Sequence, residues 1–270
     1  MKAASRAPLR PRGRLTLALS WPLVGFWLST VACDAQEGRR LELTTSDGVT
    51  VPALELAAAS GPGPFILLFH QGGASGWAEY APIAPRLNEM GYRVLIIDQR
   101  RGGDLFGGTN SVAANFDADV TSYCDALPEL EAALDYARAT DPMRKAILWG
   151  SSYSAALAIQ LAARRSGDVA AVLAFSPASG EPMAGCQPEP WAETLNIPLL
   201  VVRPSSEMEH AWIAQQLTLF ERLGHSSFVA EPGRHGSSAL VEERVGDDTT
   251  ETWRAVTAFL ASLASPPPPG

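Results

Sequence analysis

The sequence has little of the cysteine and histidine from which metal centres are built. It contains three cysteines and four histidines, without a Cys-x-x-Cys pair or a His/Cys cluster. No metal site is therefore expected. It also has no internal repeat and no linker long enough to separate two domains, which favours one domain after about residue 40.

Positive charge is scarce outside the N-terminus. The chain carries 21 Lys and Arg against 29 Asp and Glu, a formal net charge of −8. Residues 1–32 include five of the basic side chains and no acidic one, so the remainder carries about −13. Such a surface repels phosphate backbones, and nucleic-acid binding is not expected.

The N-terminus combines basic residues with a mostly apolar run from Leu15 to Ala32. This pattern is typical of a secretory signal, and an uncleaved membrane anchor is the alternative, since the run is just long enough to span a bilayer. The Val-Ala-Cys ending at Cys33 also resembles a bacterial lipobox, with Thr30 where an aliphatic residue is usual. We therefore predict export to the periplasm or cell envelope, with a lipid anchor at Cys33.

Two cysteines remain if Cys33 is lipidated. In an oxidising compartment, Cys124 and Cys186 form an even pair that is available for a disulfide. Two separate buried thiols are the alternative, because the sequence does not give the distance between their Cα atoms. Both interpretations stay open.

The body of the chain alternates strand-like and helix-like segments. Residues 40–43 and 51–56 flank an Asp-Gly turn and predict an N-terminal antiparallel hairpin. Further apolar runs predict strands over 65–70, 92–97, 145–149, 169–175, 199–202 and 227–230. Helices are predicted over 78–90, 117–139 with a kink or break at Pro128, 154–165, 211–223 and 253–263.

This alternation predicts an α/β fold with a mostly parallel twisted sheet of about eight strands and helices on both faces. The domain organisation follows from the same segments. We expect a signal segment over 1–32, a short linker over 33–39, the α/β domain over 40–264 and a proline-rich tail over 265–270.

A candidate nucleophile follows the strand at 145–149. The sequence Gly-Ser-Ser-Tyr-Ser over 150–154 leads from this strand into an alanine-rich helix. A nucleophilic serine needs a sharp strand-to-helix turn flanked by small residues, and Ser152 has that context. Ser154 replaces the last glycine of the usual Gly-x-Ser-x-Gly pattern, and a merely structural turn is the alternative.

The base and the acid are predicted from later strand ends. His235 follows the last strand in a glycine-rich loop and is the candidate base for Ser152. Glu207 lies about one turn beyond the strand over 199–202 and is the candidate acid, with Glu209 as the alternative. In the structural alternative, either glutamate lies at the start of a helix, where its carboxylate interacts with free backbone amides and the helix dipole.

Two backbone amides are the candidates for an oxyanion hole. Tyr153 supplies one as the residue after the nucleophile, and the loop after the strand over 65–70 supplies the other, with Gly72 preferred to Gln71. His70 is interpreted as an organiser of that loop. Ser152, Glu207 and His235 then follow one another in the chain order of nucleophile, acid and base.

These motifs resemble the α/β-hydrolase superfamily over nearly all of residues 40–264. The resemblance is carried by His-Gln-Gly-Gly at 70–73, Asp-Gln-Arg-Arg-Gly-Gly at 98–103, the turn at 150–154 and Gly-Arg-His-Gly at 233–236. Short loops without a large lid are most similar to the dienelactone-hydrolase and small serine esterase branch. Dienelactone hydrolases use cysteine where Ser152 stands, so their substrate is not carried over.

The resemblance implies hydrolysis of carboxylic ester or similar acyl bonds in a small-molecule substrate. It implies a Ser-His-acid triad, an acyl-enzyme intermediate and no metal or organic cofactor. A non-catalytic ligand-binding protein on the same scaffold and an amidase or peptidase are the alternatives.

The surroundings of the site leave two further questions open. Residues 178–193 are the candidate partial cap. Four aromatic residues either wall an acyl pocket or belong to the core: Phe106, Trp149, Tyr153 and Trp191. Arg100 and Arg101 either attract an anionic substrate group or form salt bridges.

Overall fold

The computed structural model describes residues 38–59, 61 and 63–263. The predicted signal segment over 1–32, Cys33 and the proline-rich tail over 265–270 lie outside the described residues. Within that described part, no helix is both long and apolar enough to cross a bilayer.

The described residues form one eight-stranded sheet in the order β1-β2-β4-β3-β5-β6-β7-β8. β1 pairs with β2 and β2 with β4 in antiparallel fashion, and all other pairs are parallel. The strands are β1 Arg39–Thr44, β2 Thr50–Leu56, β3 Phe65–Phe69, β4 Arg93–Ile97, β5 Ala146–Ser151, β6 Val169–Phe175, β7 Leu199–Pro204 and β8 Ser226–Ala230. The predicted mostly parallel sheet with an N-terminal antiparallel hairpin is confirmed.

Helices cover both faces of this sheet. They are α1 Gly76–Tyr80, α2 Ala84–Glu89, α3 Leu127–Thr140, α4 Tyr153–Arg164, α5 Glu189–Ala192, α6 Ala211–Arg222, α7 Glu242–Val245 and α8 Thr250–Ser262. Buried side chains of α3, α4, α5 and α6 form a core on one face. Those of α1, α2 and α8 form a second core on the other face.

Two predicted helices have different bounds in the structure. The segment over 78–90 divides into α1 and α2, with Pro82 between them. The segment over 117–139 becomes helical only at a 3₁₀ turn over Tyr123–Ala126, and α3 begins after it. Pro128 lies in the first turn of α3 and not at a kink. The N–H groups of a first turn have no acceptor within the helix, so proline, which lacks an N–H, is tolerated there.

The strand order places two loops side by side. β4 lies on one side of β3, and β5 lies on the other. The direction in which the chain adds strands to the sheet therefore reverses at β3. Phe69 of β3 pairs with Gly150 of β5 at their carboxyl ends. Ligands of open α/β sheets bind at such a reversal point, and the predicted site residues all follow strand ends at this edge.

Candidate active site

Ser152 occupies a strained turn between β5 and α4. Its φ of 61° and ψ of −122° are unusual for a residue that carries a side chain. The turn needs Gly150, because a Cβ there would lie 2.5 Å from the Cα of Ala155 in the first turn of α4. The close approach of strand and helix projects Ser152 to the sheet edge, where it is partly exposed.

Ser154 fills the position of the usual last glycine by forming hydrogen bonds. Its hydroxyl donates to the carbonyl oxygen of His70 at 2.6 Å and accepts from Nε2 of Gln99 at 2.9 Å. These bonds tie the start of α4 to the loops after β3 and β4. Ser154 is therefore fully buried with its hydroxyl hydrogen-bonded.

Glu207 lies beside His235. The residue belongs to a 3₁₀ turn over Ser205–Glu209 that follows β7, and its Oε1 is 2.6 Å from Nδ1 of His235. A carboxylate only accepts, so the Nδ1–H group donates and Nε2 is left as the free base. Glu209 is exposed and makes no hydrogen bond to His235 among the described residues. The structure thus brings Glu207, and not Glu209, to the imidazole.

Arg203 holds the other oxygen of this carboxylate. Its Nη1 donates to Oε2 of Glu207 at 2.6 Å, and its side chain is only 2 % exposed. Burial by itself would raise the pKa of Glu207, but hydrogen bonds and charge from His235 and Arg203 keep that pKa below its usual value. The carboxylate is therefore ionised at neutral pH.

The loop that carries His235 is tied to the turn of Ser152. The backbone N–H of Ser237 donates to Oγ of Ser151 at 3.0 Å, and Nε1 of Trp149 donates to Oγ of Ser237 at 3.0 Å. No hydrogen bond joins the Ser152 hydroxyl to His235 within the described residues, and the imidazole is 52 % exposed. In sites without substrate such bonds are often long and tighten on binding.

Two backbone amides at the carboxyl ends of β3 and β5 are available to an incoming oxygen. Across the described part of the chain, the N–H groups of Gly72 and Tyr153 have no hydrogen-bond partner. Tyr153 is the first residue of α4, where helix N–H groups have no intrahelical acceptor. The N–H of Gln71, the second candidate, donates to Oε2 of Glu79 at 2.7 Å and is committed to the fold.

His70 organises the loop after β3 in a neutral form. Burial lowers the pKa of His70 to about 4. Its Nε2 accepts from the backbone N–H of Gln99 at 2.9 Å, so the proton is on Nδ1, which lies 2.8 Å from the carbonyl oxygen of Gln71. A neutral buried histidine with this tautomer acts as a fixed spacer between two loops.

Glu79 has a place in the site that the sequence did not predict. It lies on α1, is fully buried and accepts the N–H of Gln71 in the loop after β3, the candidate oxyanion loop. No motif marks it, since α1 has only five residues and its pairing with the loop arises from tertiary packing. Arg203, Ser151 and Ser237 are not predicted from sequence either, because no motif marks them and their contacts arise from tertiary packing.

Each of the four aromatic candidates packs against other parts of the fold. Trp149 and Tyr153 are buried in the core, and Trp149 stacks on Phe175 with ring centroids 4.7 Å apart. Phe106 lies against the Arg244 guanidinium, and Trp191 packs on the core of the α3 and α4 face. A pocket-wall role is therefore wrong for Trp149, whose ring faces the second core.

The two arginines, Arg100 and Arg101, have different partners. Arg100 donates to Glu129 at 2.6 Å and to Asp47 at 2.7 Å, so it forms salt bridges, as one alternative predicted. Arg101 lies over the ring of Tyr123 at 4.5 Å and donates to a backbone carbonyl. Its guanidinium has no carboxylate within salt-bridge distance in the part of the chain that is described.

A disulfide joins Cys124 to Cys186 and so links the loop before α3 to the candidate cap over residues 178–193. Tyr123, next to Cys124, lies against Gly72, since a Cβ on that glycine would be 3.1 Å from the tyrosine ring. Its ring also packs on Tyr153 at 4.8 Å. The bridge thus fixes an aromatic side chain beside the candidate oxyanion loop.

A sizeable cavity among the described residues lies away from these groups. It has a volume of about 610 Å³ and is lined by β1, β2, β4 and Trp77, without Ser152, Glu207 or His235. The candidate site is an open edge of the sheet. The described residues also contain no cluster of three His, Cys, Asp or Glu side chains able to hold a metal ion.

The sheet order, the turn at Ser152 and the covering helices define an α/β hydrolase. The sequence profile of the hydrolase family described as serine aminopeptidase, S33, matches residues 62–229. This match covers more than half of the chain, and the protein belongs to that family. No curated protein matches the chain in sequence.

Solved structures with this fold include several hydrolases. A thermostable carboxyl esterase from Bacillus coagulans is similar with a TM-score of 0.65 and 11% identity, over 84% of this chain and 99% of that one. An esterase from Pyrococcus furiosus gives 0.62 and 16%, over 86% and 92%. A proposed dienelactone hydrolase from Klebsiella pneumoniae gives 0.61 and 16%, over 83% and 98%. At these identities the likeness concerns the fold, and the predicted resemblance to α/β hydrolases is confirmed.

Proposed function

We propose that the protein is a serine hydrolase that cleaves carboxylic ester bonds through a Ser152-His235-Glu207 triad. The observation that carries the proposal is the 2.6 Å hydrogen bond between Glu207 and His235, at the sheet edge where Ser152 occupies its strained turn. An imidazole held in this tautomer has Nε2 ready to take a proton.

The chemical steps use these groups in order. Nε2 of His235 takes the hydroxyl proton while Oγ of Ser152 bonds to the substrate carbonyl carbon, whose oxygen becomes an oxyanion. The N–H groups of Gly72 and Tyr153 stabilise that charge. Collapse breaks the ester bond, and the alcohol leaves with the proton from His235. Water then attacks the acyl-enzyme with the same base, releasing the acid and restoring Ser152.

The test compares Ser152→Ala with Ser151→Ala. Ser152→Ala is expected to lower kcat for short p-nitrophenyl esters by about a thousandfold or more and to abolish labelling by a fluorophosphonate. Ser151→Ala keeps the hydroxyl of Ser152 but loses the hydrogen bond to the N–H of Ser237, so that protein is expected to remain labelled, at a lower rate. Hydrolysis by folded Ser152→Ala at the parent rate would refute the nucleophile.

A peptidase is the second candidate, because the family that matches is described as serine aminopeptidases. The same triad cleaves amides when the imidazolium protonates the leaving amine. A panel of aminoacyl p-nitroanilides beside the esters separates the two activities. A parent protein that hydrolyses neither series and remains unlabelled would instead be a binding protein on this scaffold.

We also propose that the protein is exported and lipidated at Cys33. Support comes from the basic and apolar N-terminal pattern and from the Cys124–Cys186 disulfide, a bond typical of oxidising compartments. The mass of the mature N-terminus, measured on membrane-extracted protein, tests this. A mature chain that begins at Met1 without a lipid would contradict it.

A further inference from the structure

A carboxyl group that the triad does not use lies close to it. Glu79 is fully buried on α1, and its Oε2 accepts the backbone N–H of Gln71 at 2.7 Å. Its other oxygen, Oε1, is buried without a hydrogen-bond partner among the described residues, and Ser151, beside the nucleophile, favours its ionised form. One buried carboxyl group therefore holds the loop after β3 and lies near the turn of Ser152.

The geometry of the loop explains why this contact matters. The N–H of Gly72 and the carbonyl of Gln71 belong to one planar peptide unit and point in opposite directions. That carbonyl is held by Nδ1 of His70 at 2.8 Å and by the N–H of Ala74 at 3.2 Å. The preceding peptide unit is held by Glu79 through the N–H of Gln71. With both units fixed, the direction of the Gly72 N–H is fixed as well.

We propose that Glu79 is a positioning residue of the oxyanion hole, whose carboxylate holds the Gln71 peptide so that the Gly72 N–H faces the reacting carbonyl oxygen. The inference rests on the proposed function of Ser152. Glu79 neither touches substrate nor transfers its proton. It acts through the backbone of its neighbour.

The charged and titratable groups around Glu79 come from four elements. Arg244 of α7 donates to the backbone carbonyl of Glu79 at 2.9 Å and opposes the carboxylate charge, as does His235 after β8. The phenol groups of Tyr80 on α1 and Tyr153 on α4 also interact with it. Neither phenol supplies positive charge.

Burial outweighs these favourable contacts and raises the pKa of Glu79 to about 7. The group therefore changes charge in the neutral range, where an esterase is assayed. An ionised carboxylate binds an N–H more strongly than a neutral carboxyl group does, so ionisation tightens the grip on Gln71. Activity is expected to rise with pH as Glu79 ionises, in addition to the effect of the His235 base.

Three variants separate positioning from general stability. Glu79→Gln keeps an acceptor oxygen but cannot ionise, Glu79→Ala removes the acceptor, and Glu129→Gln changes a carboxyl group that is also fully buried but is bonded to Arg100. Folding of each is checked by circular dichroism. The kcat and KM of ester hydrolysis are then measured against pH, below the unfolding temperature.

Glu79→Ala is expected to lower kcat by about 10- to 100-fold while KM changes by less than about threefold, because the oxyanion donor acts in the transition state. Glu79→Gln retains more activity than Glu79→Ala, and its pH profile lacks one neutral ionisation of the parent. Glu129→Gln keeps the parent's pH profile. Parent-like kcat in Glu79→Ala, or an unchanged profile in Glu79→Gln, overturns the inference.

A second readout does not depend on hydrolysis. Amide hydrogen exchange of the segment over 70–74 is expected to be faster in Glu79→Ala by about tenfold at Gln71 and near the parent rate in Glu79→Gln. If the parent has no Ser152-dependent activity, the proposed function fails, and exchange still decides whether Glu79 holds the loop. Equal exchange in the parent and Glu79→Ala refutes the positioning role.

Discussion

Replacing Glu207 by glutamine tests the proposed triad acid with little change in side-chain shape. The carboxylate accepts from His235 with one oxygen and from Arg203 with the other, each at 2.6 Å. A glutamine that turns its NH₂ toward His235 would donate to Nδ1 and place the imidazole proton on Nε2. The base could then no longer take the proton of Ser152, which is the known cost of such a change in a serine triad.

The expected losses of activity and of stability follow from the contacts of Glu207 with His235 and with Arg203. A wrong imidazole tautomer lowers kcat by about 10⁴-fold, equivalent to about 5 kcal/mol of transition-state stabilisation. Arg203 loses its anionic partner but keeps Gln216 and the carbonyl of Pro177, so the loss of folding stability should be about 3 kcal/mol. In free energy, the loss of transition-state stabilisation should therefore exceed the loss of folding stability by about 2 kcal/mol.

The assay measures kcat with a p-nitrophenyl ester and the free energy of unfolding in urea. Glu209→Gln is the matched control, since Glu209 is two residues away and exposed. We expect its activity and stability to equal those of the parent. Because the pKa of Glu207 is depressed, its stabilising contribution is present above the pKa of an unfolded glutamate and is lost as pH falls through its own pKa. Parent-like kcat in Glu207→Gln, or an equal loss in Glu209→Gln, would refute the assignment.

Three further predictions concern the scaffold. Replacing Cys124 and Cys186 by alanine opens a link across 62 residues and should cost about 4 kcal/mol of unfolding free energy by the chain-entropy relation. Urea curves of parent and variant check this, and coincident curves would contradict it. The pKa of Glu79 is raised to about 7, so its stabilising effect is full below the unfolded pKa and is lost as pH rises through 7. The parent should thus lose about 3 kcal/mol relative to Glu79→Gln between acid and alkaline pH, whereas a constant difference would rule this out. Gly150→Ala places a Cβ 2.5 Å from Ala155 and should destabilise by about 1–3 kcal/mol, while Gly167→Ala, in open space, serves as the neutral control.

The site could be predicted from sequence where position along the chain decides chemistry. Ser152 and Glu207 follow parallel strands, and parallel strands bring their carboxyl ends to one edge, so chain order was sufficient to predict their neighbourhood. The choice between Glu207 and Glu209 as the residue that contacts His235 cannot be made from the sequence. It depends on a 3₁₀ turn after β7 that directs one carboxylate toward His235 and leaves the other in solvent.

The bounds of α3 show a different kind of error. Apolar spacing over 117–139 predicts one long helix with a kink or break at Pro128, but the regular helix begins only at Leu127. Proline is well tolerated in the first turn, so Pro128 marks a start and not an interruption. The residues before it serve another purpose, because Cys124 forms the disulfide and Tyr123 packs beside Gly72.

The candidate site combines fixed and exposed parts, and this division bears on how it discriminates substrates. The turn of Ser152 and the loop of Gly72 are held by buried hydrogen bonds through His70, Glu79 and Ser154. Their fixed geometry suits the proposed step, the stabilisation of a tetrahedral oxyanion, and leaves little freedom to adapt. The segments around Cys124 and Cys186 border that machinery without forming part of its hydrogen bonds. If the proposed ester hydrolysis holds, differences in the acyl group are expected to be recognised by these disulfide-linked segments, and the proposed oxyanion donors to act alike on every ester.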